Sequence, residues 1–240
     1  MPLLTSVPAH HEATMDEVLL AALAAAFDRA VIVELEGHGR EEVVGNADLS
    51  RTVGWFTSLT PVRFDAASTD VADPMAMSAL VTRVQDVLRG LPDGGIGYGI
   101  LRHLDPETRT RLAPLGRPQV LFNYLGRFDA GIDIAFGRDD ASAPIHDEGS
   151  DIGDATTSGA TETPYWNPAP ESGLFGGGSD PAMPLSRPLE INAVTVAGPD
   201  GPELRATFSW PAGVLDEAEV RVLADRWRAG LDALVDGATE

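Results

Sequence analysis

The sequence contains neither cysteine nor lysine. Without cysteine, the chain forms no disulfide and offers no thiolate to a metal ion. All 17 basic residues are therefore arginine, and against 37 acidic residues they leave a formal net charge of −20. So acidic a surface repels phosphate backbones and anionic lipids, because binding to either requires clustered cations. The charge balance thus argues against nucleic acid and membrane surfaces as partners.

Long hydrophobic runs are also lacking. No segment approaches the roughly 20 apolar residues that span a bilayer. The first residues, MPLLTSVPAHH, lack the basic and apolar regions of a secretory signal. We therefore expect a cytoplasmic protein. Its 240 residues, of which 43% are hydrophobic, suit one domain or a tightly joined pair with a substantial core.

Three helices and four or five strands are predicted, which makes a mixed α/β lobe. Each main helix has a polar N-cap residue before a segment with apolar periodicity. The helices span 14–29, 74–89 and the segment from 216 onwards, capped by Thr14, Asp73 and Asp216. The extended segments are 31–36, 52–64, 118–125, 189–198 and 203–210, the last two forming an antiparallel hairpin. A flexible glycine loop, LPDGGIGYG, precedes a short helical piece at 99–104.

Periodicity disappears between about 129 and 184. The acidic segment at about 138–164 is rich in Gly, Ser and Thr and has almost nothing to bury. We therefore expect a disordered surface insertion there. Its aspartates match no calcium-binding loop in their spacing, and we predict no metal site.

The stretch VELEGHGRE carries two acidic residues in an otherwise apolar strand. Because side chains alternate along a strand, Glu34 and Glu36 share one face. Carboxylates on a buried face are costly, so this face is expected to line a solvated cleft. Glycines on both sides of His38 permit a tight turn and a close approach of backbone or ligand. The residues alone leave a second interpretation equally open, namely an edge strand with a polar end.

Three further stretches are ambiguous when taken one at a time. RTVGWFTSLTPV contains Trp55, Phe56 and Thr57, and taken alone these residues favour core packing over a functional role. LPDGGIGYG is no dinucleotide-binding fingerprint, because no preceding strand or following helix has the right arrangement. LFNYLGRF has Asn123 and Tyr124 in mid-strand, where an amide and a phenol need partners if they are buried.

The ordered series EGHGRE, RTVGWFTSLTPV, PDGGIGYG and FNYLG closely resembles the motifs of epimerization domains in nonribosomal peptide synthetases. DEVLLAAL and LFGGGSDPAMPLSRPLEINAVT are similar to two further regions of that family. Apart from the acidic segment, the resemblance covers nearly the whole chain. It implies one lobe of a two-lobed fold similar to chloramphenicol acetyltransferase, with a mixed sheet packed against helices and a substrate tunnel between the lobes.

The resemblance also implies roles for individual residues. Glu36 would be the carboxylate that removes or returns the α-proton of an aminoacyl or peptidyl thioester. Asn123 and Tyr124 would orient the substrate or donate hydrogen bonds to its enolate. The substrate-binding residues would be His38, which holds the turn or Glu36, together with Trp55, Phe56 and Thr57 on the tunnel wall. A peptidyl carrier protein would deliver the substrate on its phosphopantetheine arm, and the domain would need no cofactor or metal of its own.

The family's other catalytic group is the second histidine of an HHxxxDG motif in an N-terminal lobe. The nearest segment here, HHEATMD, has one residue too many and no glycine after Asp16, so we interpret its His10 and His11 as coincidental. We therefore expect this chain to be a C-terminal lobe that is poor or inactive as an epimerase unless an N-terminal lobe joins it. The alternatives are a non-catalytic module that docks a carrier protein or synthetase partner, and a condensation domain, against which EGHGRE and FNYLG count.

Overall fold

The structure is a computed structural model. It describes residues 2–40, 48–49, 51–66, 69–128, 185–198, 201–211 and 213–239. The predicted acidic insertion at about 138–164 lies outside the described residues. None of the described helices is long and apolar enough to cross a membrane.

Six α-helices and five strands form the described part of the chain. The helices are α1 (Ser6–His11), α2 (Met15–Ala26), α3 (Pro74–Arg89), α4 (Gly97–His103), α5 (Pro106–Leu112) and α6 (Glu217–Gly237). The strands are β1 (Val31–Gly37), β2 (Ser58–Phe64), β3 (Val120–Phe128), β4 (Leu189–Gly198) and β5 (Gly201–Ser209). Short 3₁₀ turns lie at Pro2–Leu4, Pro92–Gly95 and Ala113–Leu115.

The strands form one open mixed sheet in the order β2-β1-β3-β4-β5. The three central strands run parallel to one another, and each outer strand pairs antiparallel with its neighbour. The predicted hairpin of β4 and β5 is present. The mixed sheet with packed helices confirms the expected fold class.

Helices α2, α3 and α6 pack against one another and against one face of the sheet. Helix α2 is buried from Glu17 to Ala26, because its small alanines let both neighbouring helices approach closely. Trp227 of α6 donates from Nε1 to the Leu19 carbonyl of α2 at 3.0 Å. The core therefore lies between this helical layer and the sheet.

The capping signals act as predicted. Thr14 accepts from the Glu17 amide while the Glu17 carboxylate accepts from the Thr14 amide. Asp73 caps α3, and Asp216 caps α6. Helix α2 nevertheless ends earlier than predicted, because Asp28 adopts a left-handed conformation with φ of 53°.

Two predicted segments differ from the structure. The strand expected over 52–64 begins only at Ser58, because the residues before it form a loop whose Thr52 carbonyl accepts from the Arg40 guanidinium. The glycine segment 91–99 is not a free flexible loop. Gly95 has a φ of 87° and packs so closely on Thr60 that any β-carbon would overlap it, and its carbonyl accepts from the Thr60 hydroxyl at 2.9 Å.

Candidate functional site

The two acidic side chains of β1 project from the sheet face opposite the helical layer. Val33, the residue before Glu34, is fully buried in the core under the helices. Since side chains alternate along a strand, Glu34 and Glu36 point to the other face. The sequence prediction that these carboxylates share a face is consistent with this placement. We call this surface the carboxylate face.

Neighbouring strands place further polar groups on the carboxylate face. The parallel register aligns Glu34 with Leu121 of β3, and Leu121 with Glu190 of β4. Glu36 and Asn123 each follow directly after the last pair of this register, Leu35 with Phe122, and Asn123 pairs in turn with Asn192 of β4. The carboxylate face therefore carries two rows of side chains across the sheet near the C-terminal end of β1. One row contains Glu34 and Glu190, and the next contains Glu36, Asn123 and Asn192.

Glu34 is almost completely buried and forms an ion pair with Arg187. Their side chains are 5% and 12% exposed, so both charges are largely withdrawn from water. Nη2 of Arg187 donates to Oε2 of Glu34, and Nη1 donates to the Ser186 carbonyl at 2.7 Å. A buried charge pair of this kind is costly to break, because either partner left alone would remain desolvated.

Glu190 is held by the residue just before Arg187. Its Oε1 accepts from the Ser186 amide at 2.8 Å and from the Ser186 hydroxyl at 2.9 Å. Two consecutive residues thus supply the donors for two acidic side chains.

Glu36 is half-buried and differs from both of these neighbours. Among the described residues, no donor forms a hydrogen bond or ion pair with its carboxyl group. Burial raises the pKa of Glu36 above its ordinary value, and the charges of Glu190 and then Glu34 raise it further. The group is therefore easier to protonate than an exposed glutamate, as general acid–base work near neutrality requires.

Tyr124 does not share the carboxylate face. It packs against the core on the helical side, where its hydroxyl lies 2.9 Å from the Thr195 hydroxyl. Burial raises the pKa of the Tyr124 hydroxyl, with Asp16 adding to the rise and Thr195 and Arg127 opposing it. The structure thus places Glu36 and Asn123 on one face of neighbouring strands and Tyr124 on the opposite face.

Asp16 lies in the first turn of helix α2, close enough to Tyr124 for its charge to influence the ionisation of the Tyr124 hydroxyl. Loss of hydration raises the pKa of Asp16 to about 6, with Glu17 adding to the rise and a backbone hydrogen bond opposing it. The side chain keeps substantial solvent contact, which hydrates the charged form and argues for a smaller rise. Asp16 and Tyr124 are therefore two further residues with raised pKa values, and Tyr124 lies on the helical side of the sheet.

The turn after β1 is fixed by close backbone packing. Gly39 has a φ of 61°, and a β-carbon there would lie 1.6 Å from the Phe56 carbonyl oxygen. His38 accepts at Nδ1 from the Arg40 amide at 3.0 Å, as a residue that holds the turn should. The Arg40 guanidinium donates to the Thr52 carbonyl at 2.8 Å and stacks 4.5 Å from the Phe56 ring centre.

The aromatic segment divides into a packed and an exposed part. Phe56 is partly covered by Arg40, whereas Trp55 is 89% exposed. Thr57 is also exposed, immediately before β2. The predicted substrate-binding role of these residues, like that of His38, stays a prediction.

His10 and His11 end helix α1, which packs among the other helices. Their rings meet edge to face at 4.8 Å and line an open pocket with the start of α3 and the end of α6. This position lies in the helical layer, away from the carboxylate face. The interpretation of HHEATMD as coincidental stays a prediction.

Sequence reasoning missed Ser186, Arg187 and Glu190. All three lie in PLSRPLEINA, a stretch that had served only to support the family resemblance. The alternation of LEIN offered a signal, because Glu190 faces away from its apolar neighbours in the same way as Glu34. No three His, Asp or Glu side chains of the described residues are arranged to hold a metal ion, and this holds for the three glutamates here.

Comparisons with known proteins support one family. The condensation-domain family model matches residues 1–149. Tyrocidine synthase 1 of Brevibacillus parabrevis is 32% identical over 238 residues, which cover 96% of this chain and 19% of that protein. Bacitracin synthase 3 of Bacillus licheniformis is 31% identical over 236 residues, or 97% of this chain and 3% of that protein. The chain thus spans less than a fifth of the length of either relative.

A solved structure extends the similarity to the fold. The epimerization domain from the third module of tyrocidine synthetase B superposes with a TM-score of 0.66 and 26% identity, and the match covers 98% of this chain. It covers 45% of that chain. The present chain therefore spans less than half the length of the epimerization domain it resembles.

Proposed function

We propose that this chain, which belongs to the condensation-domain family, is the C-terminal lobe of an epimerization-type domain in a nonribosomal peptide synthetase. Its Glu36 would exchange the α-proton of an aminoacyl or peptidyl thioester and so interconvert the L and D forms. The observation that carries the proposal is the half-buried Glu36 carboxyl, which has no fixed donor among the described residues and an elevated pKa.

The chemistry follows from the thioester. Its carbonyl acidifies the adjacent carbon, but proton removal still needs a positioned base and a stabilised enolate oxygen. The Glu36 carboxylate takes the proton, and the C–H electron pair moves into the bond to the carbonyl carbon, which places negative charge on the oxygen. Return of a proton to the opposite face by a second acid completes the inversion and leaves the thioester intact.

We assign that second acid to a partner lobe with the HHxxxDG motif. The assignment rests on the family resemblance and on the 45% coverage of the related epimerization domain. A peptidyl carrier protein would bring the substrate on its phosphopantetheine arm. No cofactor of the chain's own is required, because the thioester itself stabilises the carbanion.

Asn123 and Tyr124 receive different proposed roles. Asn123 lies level with Glu36 on the carboxylate face, so its amide is suited to donate a hydrogen bond to the enolate oxygen. Tyr124 lies behind the sheet with Thr195 and near Asp16. Tyr124 would contact the substrate only if the tunnel extends around the end of the sheet to its helical side. Otherwise its role is to pack against the core on the face opposite Asn123.

Deuterium incorporation tests the proposal. A carrier-bound L-aminoacyl thioester in deuterated water is offered to the chain, with and without a supplied N-terminal lobe from a related epimerization domain. We expect deuterium at the α-carbon when both lobes are present. Glu36→Gln should reduce the rate by about 10² to 10⁴-fold, the usual contribution of a general acid or base.

Matched variants locate the chemistry. Glu203→Gln on β5 removes a carboxylate that pairs with Arg205, and its rate should equal that of the wild type. Asn123→Ala should slow exchange, whereas Tyr124→Phe should do so only if its hydroxyl meets the substrate. Absence of deuterium in every combination of folded lobes would defeat the proposal.

A carrier-docking module without catalysis is the second candidate. The fully exposed Val53 and the 89% exposed Trp55 favour an interaction surface on the loop before β2. In a pull-down with carrier protein, a pure docking module binds equally well as wild type and as Glu36→Gln, and replacement of Trp55 by serine weakens it. The exchange assay separates the two candidates, because docking alone transfers no deuterium.

A further inference from the structure

Three carboxylates lie together on the carboxylate face. Glu34 and Glu190 occupy one row on either side of Leu121, and Glu36 follows two residues after Glu34. With ordinary sheet spacings, Glu36 stands about 7 Å along the strand from Glu34, and Glu190 about 10 Å across the sheet. Like charges this close interact appreciably where water is partly excluded.

Two of the three are supplied with donors by one dipeptide. Arg187 donates to Glu34, and the Ser186 amide and hydroxyl both donate to Glu190. The dipeptide is itself locked, since Arg187 also donates to the Ser186 carbonyl at 2.7 Å. These bonds hold the Glu34 and Glu190 carboxylates in place on the carboxylate face.

Glu36 receives no such donor from the described residues. Within the described ranges, the titratable or charged groups on this face around Glu36 come from four places. They are Glu34 and His38 from β1 and its turn, Arg63 from β2, Glu190 from β4, and Arg187 from the segment before β4. At the level of Glu34 and Glu36, strand β3 contributes Leu121 and Asn123, neither of which titrates. Arg63 is exposed and pairs with Asp65 at 3.6 Å.

We propose that Ser186 and Arg187 are positioning residues that hold the Glu190 and Glu34 carboxylates beside Glu36, so that these two neighbours control how readily Glu36 takes up and releases a proton. Burial acts on Glu36 in the same direction as these two anions. The proposal assigns a function to the PLSRPLE segment. It rests on the proposed epimerase activity in one respect only, namely that the proton held by Glu36 is exchanged with the α-carbon of a substrate.

The direct test measures the Glu36 carboxyl by ¹³C NMR titration of the full chain, with its signal assigned by its loss in Glu36→Gln. Glu190→Gln removes the charge but keeps an oxygen that accepts from Ser186. We expect its Glu36 midpoint to move to lower pH than in the wild type. Glu203→Gln is the control, because the register places it six residues along β4 from Glu190, about 20 Å away.

The Arg187 contribution needs a paired change, because Arg187→Gln alone strands a buried Glu34. The double variant Glu34→Gln with Arg187→Gln removes the anion and its partner together. We expect this variant to lower the Glu36 midpoint by less than Glu190→Gln does, because an anion and its paired cation are removed together. Dispersion of its amide signals reports the fold. An unchanged Glu36 midpoint in a folded Glu190→Gln and in the folded double variant would overturn the proposal.

Activity separates this inference from the proposed function. With the partner lobe supplied, the acid limb of the exchange rate should move to lower pH in Glu190→Gln, in parallel with the NMR midpoint. If the midpoint moves but no form of the protein exchanges deuterium, the epimerase proposal fails and the positioning role stands. If the wild type exchanges deuterium and neither the midpoint nor the acid limb moves, the positioning role fails.

Discussion

At residue 36, a carboxyl group lies half-buried beside two other acidic side chains and receives none of the donors that hold them. The fold therefore disfavours its charged form. Its pKa in the folded chain lies above the ordinary value of 4.5. The same feature that suits Glu36 to proton exchange must then reduce stability at neutral pH, because a shifted pKa is also a difference in folding free energy.

Glu36→Gln should therefore stabilise the fold in a pH-dependent way. As the pH falls below about 4.5, the wild-type carboxyl becomes protonated in both the folded and the unfolded chain, so the free energies of unfolding of the two proteins should converge. As pH rises past this value, the unfolded chain ionises more readily than the folded one. The wild type then loses stability relative to Glu36→Gln until the folded group has also ionised.

Urea unfolding across pH 4 to 8 measures this difference. The comparison at the acid end serves as the internal control, since it isolates any effect of the amide itself. A stability difference that is constant over the whole range would contradict the raised pKa of Glu36.

At the scale of elements, residues at the helix ends determine where the helices begin and end, whereas pairing with neighbouring strands determines the position of each strand. Asp73 caps α3 by accepting from the Met75 amide at 2.9 Å, and Pro74 follows in the first turn. Such signals act within one turn of helix, so they operate whatever surrounds them. By contrast, β1 lies between an antiparallel and a parallel partner that come from distant parts of the chain.

Asp73→Ala should lower the free energy of unfolding by about 1 kcal/mol, because an orphan amide at the start of α3 loses its acceptor. Asp73→Asn keeps a side-chain oxygen at the same place and should remain close to the wild type. Equilibrium urea unfolding of the three proteins provides the measurement. Equal losses in both variants would show that the charge of Asp73, and not its cap, is what stabilises α3.

At the scale of the whole molecule, two asymmetries stand out. Helices α2, α3 and α6 lie on one face of the sheet, whereas Ile32 and Leu59 on the other face remain 45% and 41% exposed. The charge is equally one-sided, at −20 with no lysine. This apolar exposure on the carboxylate face is what the proposed partner lobe would cover.

The excess negative charge predicts a salt response. Self-repulsion destabilises a compact chain, and raising NaCl from about 0.01 M to about 0.15 M shortens the Debye length from about 30 Å to about 8 Å. The midpoint of thermal unfolding at pH 7.5 should therefore rise by a few degrees over this range. Near pH 4.4, the isoelectric point, the net charge vanishes and the rise should disappear; an equal rise at both pH values would exclude this explanation.

Particular residues show which features of the fold and of the site could be predicted from the sequence. The bounds of α3 were predictable because Asp73, Pro74 and Gly90 signal locally, and the common face of Glu34 and Glu36 followed from strand alternation. The loop before β2 was predicted as strand, because its apolar composition does not reveal that Arg40 organises it. Asn123 and Tyr124 were predicted as one pair, although adjacent positions in a strand must face opposite ways.

The sequence by itself determined the local structure and the family, since caps, alternation and motif order are read along the chain. Only the tertiary structure decided the surroundings of Glu36. Its neighbours come from β3, β4 and the segment before β4, and the Arg187 that neutralises Glu34 is 153 residues away in the chain. Protonation depends on charges and donors through space, so the acidity of Glu36 is set by the folded sheet and not by the motif that contains it.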